Sequence, residues 1–230
     1  EAVVIAGSLS AQNSFVYGTS ILAGVAGVNN SFIIQSVDLF MNHETKGGSL
    51  YHIAMFSSTV PPAKLNVTAF NPKNFTIFAM VATDFNSGQY QGIYSRTVSG
   101  RYYLQITLAS IDIHGSPFNI TISPNKIVAN NSLAYGNVTS LVTAGDLSYI
   151  FLLAKDAYGN LVDSASNEVM INFKMEDLTS ANVQVNIIPL DGGIYNISYL
   201  ATLSGLFSVY VYFNFTDVFS GFPIPIFVNP

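Results

Sequence analysis

Apolar and polar residues alternate in many short segments of this chain, and the clearest is Phe118–Ser123, near its middle. Every second residue of this segment is apolar, and Asn, Thr and Ser stand between them. A period of two is that of a β-strand with one buried and one wet face. Pro117 and Pro124 bound the segment, and proline, which lacks an N–H, is tolerated at the start of a strand but cannot continue its ladder. The pattern predicts a strand that closes a domain.

A weaker copy of this strand ends the chain, and it reveals an internal repeat. The spacing of the two prolines around the first strand returns at Pro223 and Pro230. When the sequence is shifted by 118 residues, Ala11–Gly18 aligns with Ala129–Gly136. Further along, the best shift falls to 105 residues, so the first copy carries about 13 extra residues. Copies of this length are domains rather than solenoid units.

The repeat predicts the domain organisation. We expect one domain at residues 7–124, with the insertion around positions 55–87, and a second at residues 125–230. Only two residues separate the closing strand of the first from the start of the second, which predicts a short linker. Residues 1–6 align with the closing strand, and we expect them to be the closing strand of a preceding repeat or an exchanged strand.

Short strand-like segments follow one another in the second copy, separated by turns rich in Gly, Asn and Asp. No stretch has the 3.6-residue period of a helix. Seven short strands in about 100 residues are typical of an antiparallel immunoglobulin-like β-sandwich, so we expect an all-β chain of two such sandwiches in tandem. The seven segments are Lys126–Asn131, Ser148–Asp156, Glu168–Lys174, Asn182–Ile188, Gly193–Ala201, Gly205–Phe213 and Phe222–Val228. Within the insertion, Leu65–Phe70 and Phe75–Ala82 are also predicted to be strands.

Several motifs of the second copy, in this order, resemble a filamin-type repeat. They are Ala144-Gly145, Lys155–Asn160, Asp191–Tyr199, Gly205 and the closing strand with its Gly-x-Pro start. The first copy resembles the family in Gly88–Tyr94, Gly100 and Ile113–Phe118, so the two copies cover almost the whole chain.

The copies depart from the family pattern at two turns. Leu39-Phe40-Met41 replaces an Ala-Tyr-Gly turn in the first, and Phe222-Pro223-Ile224 replaces Ser-Pro-Phe in the second. The resemblance implies filamin-type sandwiches without catalytic activity. Such modules act as spacers, as adhesion units, or as platforms whose sheet edge accepts a partner strand, in cytoplasmic actin crosslinkers and in cell-surface proteins.

The composition is apolar and poor in charge. Half of the 230 residues are hydrophobic, only 9% are charged, and the net charge is −5. With two arginines and no basic patch, nucleic-acid binding is disfavoured. No apolar run reaches the ~20 residues of a membrane span, so we predict none. Cysteine is absent, which excludes disulfides and zinc-thiolate sites.

Eight asparagines stand in N-x-[ST] sequons, about twice the number that chance would give. A glycan requires a surface position, and Asn119 and Asn196 both fall on the polar side of an alternating strand. We therefore predict a secreted or cell-surface protein with covalently attached glycans, and side chains at these two positions that point away from the core. The candidate sites are Asn29, Asn66, Asn74, Asn119, Asn130, Asn137, Asn196 and Asn214.

The sequence offers no motif for catalysis, cofactor binding or metal binding. Its three histidines are scattered, without the spacing of metal ligands. Asp156 and Asp163 flank Gly159-Asn160, but a calcium loop needs a denser set of carboxylates, so a plain turn is the favoured interpretation. We predict no catalytic residue, no cofactor and no metal ligand.

Two strands of the second copy are apolar on both faces, which is typical of strands covered on both sides. Tyr149, Phe151, Tyr210 and Tyr212 are the candidate interface residues on them. The favoured hypothesis is a non-enzymatic extracellular structural or adhesion protein that associates with identical or related chains, head to tail, through sheet edges and apolar faces. The alternatives are a carbohydrate-binding or accessory module of a larger surface protein, and the rod repeats of a cytoplasmic actin crosslinker.

Overall fold

β-Strands make up nearly all of the regular structure. The computed structural model describes residues 6–57, 77–136, 141–163, 169–175, 183–213, 217–218 and 222–230. The chain divides between Ser123 and Pro124 into two units, residues 1–123 and 124–230. The predicted strand at residues 65–70, most of the insertion, and residues 1–5 of the segment expected to be a closing strand lie outside the described residues.

The first unit contains ten strands among its described residues and one 3-10 helix, Thr19–Ile21. The strands are β1 (Leu9–Tyr17), β2 (Ala23–Val25), β3 (Asn30–Asp38), β4 (Tyr51–Phe56), β5 (Ile77–Val81), β6 (Thr83–Asp84), β7 (Gln89–Tyr94), β8 (Gly100–Leu108), β9 (Ile111–Asp112) and β10 (Phe118–Ser123).

These strands form two sheets that enclose one apolar core. One sheet has the order β1-β3-β7-β6, and the other the order β2-β10-β8-β4-β5, with β9 paired to β8. All pairings are antiparallel except the parallel pair of β2 and β10. The alternation read in β10 is correct, since Ile120 and Ile122 are buried and Asn119 is exposed. The largest fully buried side chains of this unit are Tyr51, Tyr90, Tyr94, Phe32, Ile34, Ile53, Met55 and Leu104.

The second unit repeats this arrangement, with a 3-10 helix at Ala129–Asn131. Its sheets have the orders β11-β13-β16-β15 and β12-β19-β17-β14, with β18 paired to β17 and a parallel pair of β12 and β19. The described strands are β11 (Leu133–Gly136), β12 (Val142–Thr143), β13 (Leu147–Leu153), β14 (Val169–Met175), β15 (Val183–Leu190), β16 (Ile194–Ala201), β17 (Gly205–Phe213), β18 (Asp217–Val218) and β19 (Ile224–Asn229).

The central strand β16 shows how the second core is built. Buried and half-buried residues alternate along its whole length, so Tyr195, Ile197 and Tyr199 point inward. On the facing sheet, β17 buries Phe207, Val209 and Val211 in the same cluster. Period-two burial from two facing sheets is the construction of a β-sandwich. The predicted fold, two immunoglobulin-like antiparallel sandwiches, is confirmed.

One predicted strand of the second copy is wrong. Lys126–Asn131 was expected to be a strand, but it holds one isolated bridge at Ile127 and then the 3-10 helix, and the strand is β11. The physical reason lies in the polar residues at its end. The Ser132 hydroxyl donates to the Val128 carbonyl at 3.0 Å, and the Asn131 amide donates to the Asp156 carbonyl at 3.0 Å. Such side chain to backbone bonds compete with strand pairing.

Each sandwich contains an equivalent backbone hydrogen bond between the residue after its short parallel strand and the end of its closing strand. The N–H of Ala26 donates to the Ser123 carbonyl at 2.9 Å, and that of Ala144 donates to the Asn229 carbonyl at 2.8 Å. The peptide bonds that precede Pro117 and Pro223 are both cis. The correspondence read from the sequence shifts therefore extends to individual backbone contacts.

Candidate functional surfaces

A buried aspartate organises the turn that follows the second strand of each four-stranded sheet. In the second unit, Oδ1 of Asp156 accepts hydrogen bonds from the backbone N–H groups of Tyr158 and Asn160, at 2.8 and 2.9 Å. Oδ2 accepts one from the side-chain amide of Asn160 at 2.8 Å and one from the N–H of Asn125 at 2.9 Å. We call this four-bond arrangement the aspartate clamp. It ties the residue at which the chain enters the unit to a turn 31 residues later.

The first unit contains the same clamp at Asp38. Its carboxylate accepts from the N–H groups of Phe40 and Asn42, both at 2.8 Å, and from the Asn42 side chain at 2.9 Å. The fourth bond comes from the N–H of Gly7 at 2.7 Å, and Gly7 lies 118 residues before Asn125. The clamp is thus a repeated element of the fold.

The clamp keeps both carboxylates ionised. The N–H of Gly7, followed by the Asn42 side chain, lowers the pKa of Asp38 to about 2. Burial raises the pKa of Asp156, but the hydrogen bonds from Asn160, Asn125 and Tyr158 outweigh it, so this pKa is also lowered. Because four N–H groups already occupy its carboxylate, Asp156 is suited to hold the turn rather than a cation. Across the described ranges, no group of three or more His, Asp or Glu side chains is placed to bind a metal.

The turn in the first unit has the shape of its counterpart, although its sequence departs from the family. Met41 has φ of 68°, and Gly159 at the equivalent position has φ of 83°. This left-handed backbone conformation is unfavourable for any residue that has a Cβ. The turn also exposes apolar side chains, since Leu39, Phe40 and Met41 are 62%, 79% and 65% exposed.

The four candidate interface residues lie on two different sheets. Tyr149 and Phe151 are on β13, on the outer face of the four-stranded sheet, whereas Tyr210 and Tyr212 are on β17, on the outer face of the other sheet. The rings of Tyr210 and Tyr212 stack at 6.0 Å with an interplanar angle of 11°. The structure therefore does not bring the four residues together.

Sequence reasoning missed the partners of Phe151. Its ring stacks on Tyr135 at 5.4 Å and 20°, because Tyr135 and Phe151 are directly paired in β11 and β13. The outer face continues through Leu133 on β11 and through Ile188 and Leu190 on β15, which are all exposed. The alternation of residues in β15 indicates that Ile188 and Leu190 share one face of that strand. Strand pairing is needed to show that this face is continuous with Phe151.

Three of the eight sequons are exposed in the part of the chain that the structure describes. These are Asn29, Asn119 and Asn130. Asn196 is half-buried and lies on the outer face of β16, between the inward residues Tyr195 and Ile197. Asn66, Asn74, Asn137 and Asn214 lie outside the described residues. Glycan attachment stays a prediction at all eight.

In the described ranges, no helix is both long and apolar enough to cross a membrane.

The model of the filamin/ABP280 repeat family matches residues 8–119, a range that includes Asp38 and most of the first sandwich. These residues are a filamin repeat. The second unit shares its sheet order and its clamp. A curated relative is the alpha chain of the flagellar outer arm dynein of Chlamydomonas reinhardtii, which is 28% identical over 118 residues. That match covers 48% of this chain and 2% of the relative, so the chain spans a small fraction of the length of the relative.

Solved structures share the tandem fold. FdeC, an Escherichia coli adhesin, is 18% identical with a TM-score of 0.65, over 99% of this chain and 67% of FdeC. Invasin, a bacterial integrin-binding protein, is 13% identical with a TM-score of 0.68, over 97% of this chain and 41% of invasin. InvD of Yersinia pseudotuberculosis is 20% identical with a TM-score of 0.56, over 96% and 59%. At these identities the likeness concerns the fold alone.

Proposed function

We propose that the two repeats are a non-catalytic structural or adhesion module at the cell surface, with N-linked glycans on their outer faces. The position of the sequons carries this proposal. Asn29, Asn119 and Asn130 are exposed, and Asn196 faces outward, in a chain with only 9% charged residues. Glycans are bulky and solubilising, so they provide the surface polarity that charge supplies elsewhere.

The comparisons support a structural role for the module. A filamin repeat is an immunoglobulin-like unit, and such sandwiches serve in many proteins as spacers and binding surfaces. FdeC and invasin, by their names, are an adhesin and an integrin-binding protein. A role in adhesion is consistent with exposed apolar and aromatic sheet faces.

A second candidate is a structural module inside a motor assembly. It is favoured by the match to a dynein chain of the flagellar outer arm. In that setting the sequons would carry no glycan, and the exposed apolar faces would contact other proteins of the assembly. The two candidates therefore differ in one chemical property, the state of the asparagines.

The test is the intact mass of the protein isolated from its native source, before and after treatment with an amidase that releases N-linked glycans. A surface module loses mass in glycan-sized steps, and each released site is converted from Asn to Asp, which peptide mass spectrometry locates. An unmodified chain would exclude the surface proposal and favour the motor assembly.

We also propose that the module associates with identical or related chains. The stacked Tyr210 and Tyr212 and the neighbouring Met170, which pairs with Tyr212, form an apolar outer patch on the second unit. Tyrosine presents a flat apolar body with a polar tip and is enriched at interfaces. A head-to-tail contact between such modules that does not close produces a filament.

A further inference from the structure

On the outer face of the four-stranded sheet in the second unit, two adjacent rows of paired residues are apolar except at Asn196, and polar residues such as Ser198 and Asn186 lie beyond them. Tyr135, Phe151, Asn196 and Ile188 form one row of directly paired residues. The next row is apolar throughout. We call the surface made by the two rows and Tyr149 the aromatic face; its apolar members are Leu133, Tyr135, Tyr149, Phe151, Leu153, Ile188, Leu190 and Ile194.

The polar residue of the first row is also a glycosylation acceptor. Asn196 begins the sequon Asn196-Ile197-Ser198 and is paired with Phe151 on one side and Ile188 on the other. Its amide oxygen is buried and accepts no hydrogen bond from the described residues. A buried carbonyl without a donor is unfavourable.

The first unit provides an internal comparison. At the positions of Leu153, Ile194 and Asn196, its sheet has Gln35, Gln89 and Gln91. The pairings are the same, since Gln35 is paired with Gln89 as Leu153 is with Ile194. The first unit keeps apolar residues at the edge of this face, with Phe15, Tyr17 and Ile33 at the positions of Leu133, Tyr135 and Phe151. At the other three positions it has glutamines and no sequon, whereas the second unit has two apolar residues and the sequon.

We propose that a glycan on Asn196 lies over the aromatic face and covers it. The proposal rests on the surface location proposed above and names the occupant of this face. Pyranose rings present C–H groups on their flat sides, and these pack on the faces of aromatic rings such as Tyr135, Phe151 and Tyr149. A glycan at this position also holds other protein chains away, which leaves the Tyr210–Tyr212 patch as the surface for self-association.

The experiment compares sequon variants of the whole chain secreted from a eukaryotic host. Asn196→Gln and Ser198→Ala both remove the sequon, the first at the acceptor asparagine and the second at the hydroxyl residue. The control, Asn29→Gln, removes a sequon at an exposed position before β3. Glycopeptide mass spectrometry measures occupancy, binding of a hydrophobic dye measures the exposed apolar surface, and thermal unfolding gives Tm. We expect occupancy at Asn196. Both variants at this sequon should bind several times more dye than the parent and unfold several degrees lower, while Asn29→Gln changes neither readout.

A further variant tests the aromatic contact itself. Phe151→Ser retains the sequon but removes the central ring, so the Tm difference between the glycosylated and the enzymatically trimmed protein should shrink. An equal Tm difference in Phe151→Ser and the parent would overturn the stacking. An unmodified Asn196 beside modified Asn29 and Asn130 would overturn the inference but leave the surface location intact. A native protein unmodified at every sequon would instead overturn the proposed function.

Discussion

At the residue scale, the aspartate clamp joins the entry of each unit to a turn through one side chain. At Asp38 and Asp156, four N–H groups point at a buried carboxylate, and three of them come from the turn while the fourth comes from the entry of the chain. The ionised form accepts all four bonds, whereas a protonated carboxyl has lost part of this acceptor capacity. The clamp therefore links stability to pH.

We predict acid sensitivity that depends on the clamp. In the folded chain the pKa of Asp38 falls from its ordinary 3.8 to about 2, so the unfolded state binds more protons between these values. The stabilisation is fully present above pH 4 and is lost as pH falls towards 2; the lowered pKa of Asp156 acts in the same direction. Thermal unfolding from pH 2 to 6 measures this dependence.

Asp38→Asn should reduce the acid-dependent part of Tm and lower Tm at neutral pH, because a neutral amide replaces an ionised acceptor. Asp146→Asn, at an exposed position outside both clamps, is the control and should leave the profile unchanged. A profile of Asp38→Asn that follows the parent at every pH would show that the clamp does not control acid stability.

Met41 and Gly159 give a reciprocal prediction. Both residues occupy the left-handed region, which costs a non-glycine residue about 1–2 kcal/mol, whereas glycine adds about 0.4–1 kcal/mol of unfolded-state entropy. Met41→Gly should raise the free energy of unfolding by about 0.5 kcal/mol, and Gly159→Met should lower it by a similar or larger amount. Urea unfolding of the chain measures both. The Met41 side chain is 65% exposed, so little packing is lost; destabilisation by Met41→Gly would refute the strain argument.

At the scale of elements, the turn into the third strand of each four-stranded sheet relies on close backbone approach. A Cβ on Gly88 would lie 2.0 Å from the carbonyl oxygen of Glu44, and one on Gly193 would lie 2.8 Å from the nitrogen of Val162. Glu44 and Val162 are equivalent positions, 118 residues apart. Glycine is needed here for space as well as for conformation.

Two adjacent glycines separate these effects. Gly192 and Gly193 have φ of 75° and 73°, but a Cβ on Gly192 would meet nothing within 4 Å. We predict that Gly192→Ala costs about 1 kcal/mol of unfolding free energy through strain alone, and that Gly193→Ala costs at least about twice as much through the added clash. Equal values in chemical denaturation would contradict the role of close approach at Gly193.

At the scale of the whole molecule, we expect the outer faces of the sheets to determine association, because charge is scarce. Only 9% of residues are charged, and the Tyr210–Tyr212 patch has Met170 beside it. Large exposed apolar patches are typical of interaction surfaces. A patch of this kind predicts contacts between chains rather than a soluble monomer at every concentration.

We predict concentration-dependent association through this patch. The double variant Tyr210→Ser and Tyr212→Ser should lower the weight-average sedimentation coefficient at high concentration, because it removes the stacked rings and leaves the inward residues of β17 in place. Tyr17→Ser, at an exposed tyrosine of the first unit, is the matched control. A parent protein that stays monomeric at all concentrations would exclude self-association.

The fold class and most of the strands could be predicted from the sequence, because burial in a sandwich follows the alternation of residues along each strand. The phase of Phe118–Ser123 and of Ile194–Ala201 could be read directly, and both agree with the structure. Shifts of 118 and 105 residues also located the paired aspartates and glycines, since both copies need the same turn. The exception was Lys126–Asn131, where Asn131 and Ser132 bond to the backbone and redirect the chain.

The surfaces, in contrast, depend on strand pairing and on the packing of the two sheets, which local sequence patterns do not specify. Tyr149 and Tyr210 look alike in sequence, yet their strands belong to different sheets, so they face away from a common core on opposite outer faces. The row from Tyr135 through Phe151 and Asn196 to Ile188 spans four strands, and the two halves of this row, which are about 40 residues apart in sequence, meet only through strand register. The four donors of the aspartate clamp are likewise brought together by folding. Local alternation determines which side of a strand is buried. Strand pairing determines which residues of other strands lie beside it, and a surface or site is formed by such neighbouring residues.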